Sequence, residues 1–289
     1  MPASAYPSVT IRPMQPDDLD FAAACTQAEG WLSETRLEFE GFFQHDPGGC
    51  LLAQVDGQRV GICIATPYGW AGFIGELIVL KDWRGQGIGT TLLKAAIAYL
   101  QGRGARSIYL DGVAAAVPLY ERMGFRKVCR SLRFGGTIQG QAHAGVRRMS
   151  PADLDAVARL DQQVFGADRR FFLARRLDQL PDHAIVLEDR GHLTGFLFCR
   201  PVPGGFAVGP WIVREDVPRP LDMLEGLAAP FGSLDVGIGV LENSARAAQT
   251  LRELAFGERQ NPPWRMVLGP SDRLGLSPEA WANGSAAKG

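Results

Sequence analysis

The chain has little of what marks a membrane, secreted or metal-bound protein. No stretch approaches the roughly 18 consecutive apolar residues that span a bilayer. The first residues, MPASAYPSVTIRP, lack the charged start and apolar core of a secretory leader. Cysteine is scarce: Cys25, Cys50, Cys63, Cys129 and Cys199 are odd in number and scattered, with no C-x-x-C spacing. That usage points to free thiols in a reducing cytoplasm, and away from a disulfide framework or zinc site. The four histidines are equally scattered, so no metal centre is expected. Neither sign of charge prevails, since 30 Lys and Arg against 31 Asp and Glu leave a formal net charge of −1. Such a chain has no global field to hold nucleic acid or an anionic membrane.

What is present is a chain of 289 residues, long enough for about two domains, with 46% hydrophobic and 21% charged residues. It starts twice. IRPMQPDDLD (11–20) and VRRMSPADLD (146–155) agree at six of ten positions, including Arg12/Arg147, Met14/Met149 and Asp18/Asp153. FIGELIV (73–79) recurs as FAVGPWIV (206–213), and YERMGF (120–125) as LRELAF (251–256). Collinear matches at a nearly constant offset argue for a duplicated architecture.

The first copy reads as a mixture of strands and helices. Val9–Arg12 suits a strand, and Pro16-Asp17-Asp18 opens a helical region to Asp46, broken near Gly30. CLLAQVDGQRVGICIAT (50–66) is a hairpin around Asp56-Gly57. Strands are expected at 72–80, 107–113 and 125–134, and helices at 90–104 and 114–123. The polar, glycine-rich segment 135–145 reads as the linker between copies.

RGQGIG (84–89) carries the most information. Gly85, Gly87 and Gly89 let backbone N–H groups converge where a Cβ would push a ligand away. A helix starts there, so its unpaired N–H groups and positive dipole end face the same point. The natural guest is a phosphate or pyrophosphate, with Arg84 as an added charge. The loop lacks the Gly-Lys-Ser/Thr ending of a Walker A motif and does not fit G-x-G-x-x-G. A tight turn with no ligand is the alternative. The second copy has no such loop; VPRPLDMLEGL stands in its place.

R-x-x-G-x-G after a strand ending in ELIV, followed by LDGVAAAVPLYERMGF, resembles the GNAT superfamily of acyl-CoA-dependent N-acyltransferases. The resemblance covers about residues 8–135. The second copy is similar to the degenerate GNAT-like domain of some bacterial tandem GNAT proteins. This implies a mixed α/β (α+β) fold of two GNAT-like domains, each a mostly antiparallel sheet flanked by helices. The expected division is a catalytic domain at 1–140, a degenerate domain at 144–270 and a flexible tail at 271–289.

The resemblance further implies acetyl-CoA as co-substrate and no metal. Its pantetheine arm would lie along the backbone of Leu77, Ile78 and Val79 as an added strand. Its pyrophosphate would sit on Arg84, Gly85, Gln86, Gly87, Ile88, Gly89 and Thr90. Strand alternation would aim Glu76 and Ile78 to one face and Leu77 to the other. An alkyl amine attacks a thioester only as the free base, so Glu76 is a candidate base, or else a strand-edge carboxylate facing solvent or pairing an arginine. Tyr120 falls where the superfamily often carries its general acid, or it is a packed aromatic. The second copy has Pro210 and Leu251 at these two positions, so one active site is expected. Val113 stands where GNAT proteins often have an asparagine, a departure on the cofactor side.

The acceptor is expected to be a small-molecule primary amine, and the chain a cytoplasmic monomer or homodimer. Residues 15–46 carry eight acidic residues and one basic residue, either an acidic rim for a cationic amine or a solvated helix face. Trp31, Glu29 and Glu34 are the candidate acceptor residues. A non-catalytic acyl-CoA sensor and a protein-lysine acetyltransferase are the alternative readings.

Overall fold

The computed structural model describes residues 8–31, 34–270, 273–285 and 287–289. Residues 1–7, on which the expectation about a leader bears, lie outside the described residues, as do Leu32, Ser33, Ser271, Asp272 and Ala286. Contacts divide the chain into two units. One runs to Ile108 and includes Lys288; the other runs from Tyr109 to Ala287 and includes Gly289.

The first unit begins with β1 (Val9–Pro13), α1 (Leu19–Ala28) and α2 (Arg36–His45). Then come β2 (Cys50–Val55), β3 (Gln58–Tyr68), β4 (Ala71–Val79) and α3 (Ile88–Gly102). The four strands form an antiparallel ladder in chain order. Asp56 (φ 49°) and Gly57 (φ 80°) make the tight turn that the Asp-Gly pair predicts between β2 and β3. In α3, Ile88, Leu92, Leu93, Ala96, Ile97 and Leu100 recur at helical spacing and are buried. A Cβ on Gly61 would meet Leu92, and one on Gly72 would meet Leu100, so α3 lies directly on the strands. Each fully buried leucine there contributes about 1.5–3 kcal/mol. The chain then enters β5 (Ser107–Gly112), and the border between the units falls inside this strand.

The second unit continues with α4 (Val117–Arg122), β6 (Arg126–Gln139), β7 (Val146–Arg148), α5 (Leu154–Phe165) and α6 (Arg170–Gln179). Next are β8 (Ala184–Asp189), β9 (His192–Val202), β10 (Gly205–Val213), α7 (Leu221–Ala228) and β11 (Ser233–Leu241). It ends with α8 (Ala245–Glu253), β12 (Gly257–Glu258), β13 (Trp264–Leu268) and β14 (Ala280–Ala282). Its strand order is β5-β13-β6-β11-β10-β9-β8-β7. Alternate residues of one strand face two separate cores. Leu197 and Cys199 of β9 pack with α7 and α8, while Phe196 and Phe198 pack with α5 and α6.

The residues shared by the two starts do the same work twice. Arg12 holds Asp18 at 2.7 and 3.2 Å, and Arg147 holds Asp153 at 2.8 Å through both oxygens. Each aspartate also accepts a backbone N–H three residues earlier, from Gln15 or Ser150, at 2.7 Å. The carboxylate thereby caps the first turn and fixes its angle to the strand. Met14 and Met149 are both buried beneath that turn.

The repeat border and the structural border differ. β6 belongs to the first copy by sequence, yet Arg126–Arg130 pair with β13 and Ser131–Gln139 pair with β11, both from the second copy. The linker expected at 135–145 is therefore strand as far as Gln139. Nor is the segment from 271 a loose tail where it is described. Its β14 pairs with β10, and Trp281, Ala282 and Ala287 are buried. The small residues that suggest fraying are small because they pack.

Candidate functional site

The glycine loop forms as its sequence demands. Gly85 (φ 76°) and Gly87 (φ 82°) take left-handed conformations, which cost other L-residues roughly 1–2 kcal/mol. A Cβ on either would meet nothing within 4 Å, so the space over the loop is open. The first intrahelical bond of α3 is Thr91 N–H to Gly87 carbonyl at 3.0 Å. The N–H groups of Ile88, Gly89 and Thr90 thus precede the helical ladder and point from a dipole's positive end. Arg84 donates from Nε to the Val79 carbonyl at 2.8 Å, tying the end of β4 to the loop. Its Nη2 meets Glu29 Oε1 at 2.5 Å. Two candidates assigned to different ligands, Arg84 and Glu29, therefore touch each other.

Glu76 lies at a bulge. Gly75 pairs with Ile64 and Ile78 with Ile62, so Cys63 faces two residues, Glu76 and Leu77. Glu76 takes φ 49°, uncommon for a side chain of its kind and a cost of order 1–3 kcal/mol. The bulge shifts the pairing with β3, while burial from Glu76 onward alternates, with Glu76 and Ile78 buried and Leu77 and Val79 half-buried. The carboxylate is 5% exposed, against the solvent-facing alternative. Burial, and then the charge of Glu76, pushes the Cys63 thiol up from its ordinary value. Past the bulge, Ile78 is buried while Leu77 and Val79 are half-buried.

Tyr120 belongs to the second unit. It is 7% exposed on α4, with its ring 6.0 Å from that of Phe125, edge to face. A Cβ on Gly112 would come within 2.9 Å of the tyrosine ring, so only glycine admits it. Gly124 (φ 87°) ends α4, and Phe125 N–H reaches back to the Tyr120 carbonyl at 3.0 Å. Val113 is exposed.

Asp111, in the LDG of the same motif, holds a buried charge network that the sequence does not disclose. Arg265 Nε donates to it at 2.6 Å, Ser131 Oγ at 2.7 Å and Arg133 Nη2 at 3.3 Å. Burial alone would raise its pKa, but the charges of Arg265 and Arg133 hold it below the ordinary carboxylate value. Arg265 is 154 positions away, so no local pattern announces the pair. The structure also groups His143 with Asp222 and Glu225. Both ring nitrogens already face carboxylates, at 3.7 and 2.5 Å, which is the arrangement of a hydrogen-bonded imidazole.

The acidic segment is largely neutralised by the chain's own cations. Asp18 pairs with Arg12 and Arg59, Asp20 and Glu40 with Arg36, Glu29 with Arg84, Asp46 with Arg103 and Glu38 with Lys288. An open anionic rim is not what these residues build. Of the three acceptor candidates, Glu34 is buried, Trp31 is half-buried and Glu29 faces Arg84.

In the second copy the strand equivalent to β4 is joined by a further strand of its own chain. β10 runs parallel to β11 only over Phe206–Val208. Beyond Gly209-Pro210, Trp211 and Ile212 pair instead with Ala282 and Ala280 of β14. Asn283 N–H bonds to the Gly239 carbonyl of β11 at 2.8 Å. The rings of Trp281 and Trp211 lie 5.0 Å apart, tilted by 46°, and both residues are buried. A Cβ on Gly209 would lie 1.8 Å from the Asn283 carbonyl oxygen, so the plug requires glycine there. Among the described residues no helix is long and apolar enough to cross a membrane.

Residues 17–125 match the acetyltransferase (GNAT) family model, and residues 157–275 match a second acetyltransferase (GNAT) domain model. N-alpha-acetyltransferase 30 of Schizosaccharomyces pombe is 39% identical over 66 residues, 22% of this chain and 44% of that protein. An uncharacterised N-acetyltransferase of Methanocaldococcus jannaschii is 31% identical over 141 residues, 41% of this chain and 61% of that one. The chain thus spans about half the length of these curated relatives. A crystal structure from Pyrococcus horikoshii, provisionally assigned as an acetyltransferase, shares the fold. Its TM-score is 0.81 at 22% identity, over 100% of this chain and 99% of that one. The chain belongs to the GNAT superfamily of acetyltransferases and carries two of its domains in tandem.

Proposed function

We propose that the protein is an N-acetyltransferase that binds acetyl-CoA in its first copy and transfers the acetyl group to a primary amine of a small molecule. The observation that carries this reading is the loop at residues 84–90. Left-handed Gly85 and Gly87, open space above them and the start of α3 together form an anion cradle. Acetyl-CoA supplies the activated acyl group. The amides of Arg84 to Thr90 hold its pyrophosphate, and the strand after the Glu76 bulge, where Leu77 and Val79 are half-buried, offers Leu77–Val79 to its pantetheine.

Glu76 is the proposed base. The amine must lose its proton before it attacks, and a buried carboxylate on the strand beside the thioester accepts it directly or through water. Carbon–nitrogen bond formation then expels the thiolate of coenzyme A. Tyr120 is the proposed acid, its phenol donating to the departing sulfur. Its ring packs edge to face on Phe125 and closely against Gly112, which fixes its position. The plugged groove of the second copy supports one cofactor site per chain.

The test is thiol release from acetyl-CoA in the presence of a panel of primary amines, with the acetylated product identified by mass. Amine-dependent release is the expected result. Acetyl-CoA binding with no turnover on any free amine, together with acetylation of lysines on added proteins, would move the assignment to a protein acetyltransferase.

A further inference from the structure

Lys288 is buried in a site that suits an ammonium group. Its Nζ meets Glu38 Oε2 at 2.5 Å, with the two side chains 8% and 6% exposed. The same Nζ lies 4.6 Å over the ring of Phe42. The Tyr68 hydroxyl donates to the Lys288 carbonyl at 2.8 Å and holds the backbone in place. Glu38 and Phe42 stand one turn apart on α2, so one helix face presents both the carboxylate and the ring. All four residues lie within the first unit.

A buried lysine is a poor fastener. Removing two charges from water is costly, and an apolar pair of similar volume often holds as well or better. Trp281 and Ala287 already anchor the neighbouring chain by apolar burial. What Glu38 and Phe42 add is chemistry: a carboxylate and an aromatic face are the two groups that select a desolvated alkylammonium. Asp18, Asp20, Glu29, Glu40 and Asp46 pair with arginines that are at least 30% exposed, whereas Glu38 faces a buried primary amine, 8% exposed.

We infer that Glu38 and Phe42 form a recognition site for a primary alkylammonium group on a linear aliphatic stem, and that Lys288 is a built-in competitor for it. The inference rests on the proposed acetyltransferase reading and narrows its acceptor to a linear diamine. One nitrogen stays protonated at Glu38, and the other is presented as the free base for acylation. Entry of the diamine displaces the Lys288 side chain, so the chain regulates its own acceptor site.

The test is rescue of Lys288→Ala by an added amine, read as thermal stability without acetyl-CoA. The variant should melt below the wild type, and 1,5-diaminopentane should raise its melting temperature by several degrees. Sodium chloride at matched ionic strength should not. Wild type should respond about tenfold more weakly in apparent affinity, because Lys288 holds the site. The double variant Glu38→Gln/Lys288→Gln leaves no buried charge unpaired, so it should fold and ignore the diamine. A Lys288→Ala protein that no amine rescues, or a double variant that still responds, overturns the inference and leaves the pair as a structural tie. Titrating the same Lys288→Ala protein with acetyl-CoA separates the two claims. Cofactor binding without amine rescue removes only this inference. Amine rescue without cofactor binding removes the acetyltransferase reading and the acceptor role with it.

Discussion

The two copies make the same strand and then treat it differently. In the first, β4 bulges at Glu76, and beyond it Leu77 and Val79 are half-buried. In the second, β10 breaks its pairing with β9 at Gly209-Pro210, and the backbone beyond is covered by β14. Both strands are irregular at the matching place. The first copy has a glycine loop and a buried carboxylate there. The second satisfies its strand with residues 280–283 of its own chain. An extended ligand adds to an unpaired strand edge, and in the second copy such an edge is sealed by β14.

The largest effect that sharpens this contrast is on the plug. Trp281→Ala removes a buried indole packed against Trp211 and should destabilise the protein by about 3–5 kcal/mol, read by urea unfolding. It should not create a second acetyl-CoA site, since Pro210 and the missing glycine loop remain. Appearance of a second site would mean that the plug alone silences the copy. Next is Tyr120→Phe. Loss of the acid should lower kcat by about 100-fold, roughly 2.7 kcal/mol, with acetyl-CoA affinity unchanged. Equal turnover would leave Tyr120 a packing residue, like Leu251 in the second copy.

Gly87→Leu should weaken acetyl-CoA binding by about tenfold or more, at least 1.4 kcal/mol, by straining φ and filling the cradle. If affinity holds, the loop is only a turn. The smallest effect concerns the thiols. Cys63 on β3 and Cys199 on β9 are both buried; burial pushes Cys199 up to about 12 and raises Cys63 as well. A raised thiol stays protonated until the pH climbs far above neutral, so neither cysteine should react with a disulfide reagent at neutral pH until the chain unfolds. Reaction of Cys63 alone in the folded protein would show that the first groove is open to its floor.

Local signals carried much of this fold. Asp56-Gly57, the glycine loop and the spacing of Leu92, Leu93, Ala96 and Leu100 each act within a few residues, and each predicted element formed. The repeat was legible because Arg12–Asp18 and Arg147–Asp153 are short-range pairs with one geometric task. What escaped depends on distant partners. The bulge at Glu76 is set by register against β3, not by its own residues. Arg265 reaches Asp111 across 154 positions, and β13 and β14 enter the sheet from beyond the second copy's own helices. Lys288 looks like a frayed end in sequence because nothing near it announces Glu38, 250 positions away.

The account turns on one live groove and one sealed groove, and calorimetric titration with acetyl-CoA measures that most directly. One site per chain, abolished or strongly weakened by Gly87→Leu, is the predicted result. Two sites per chain, or a single site indifferent to Gly87, would contradict it.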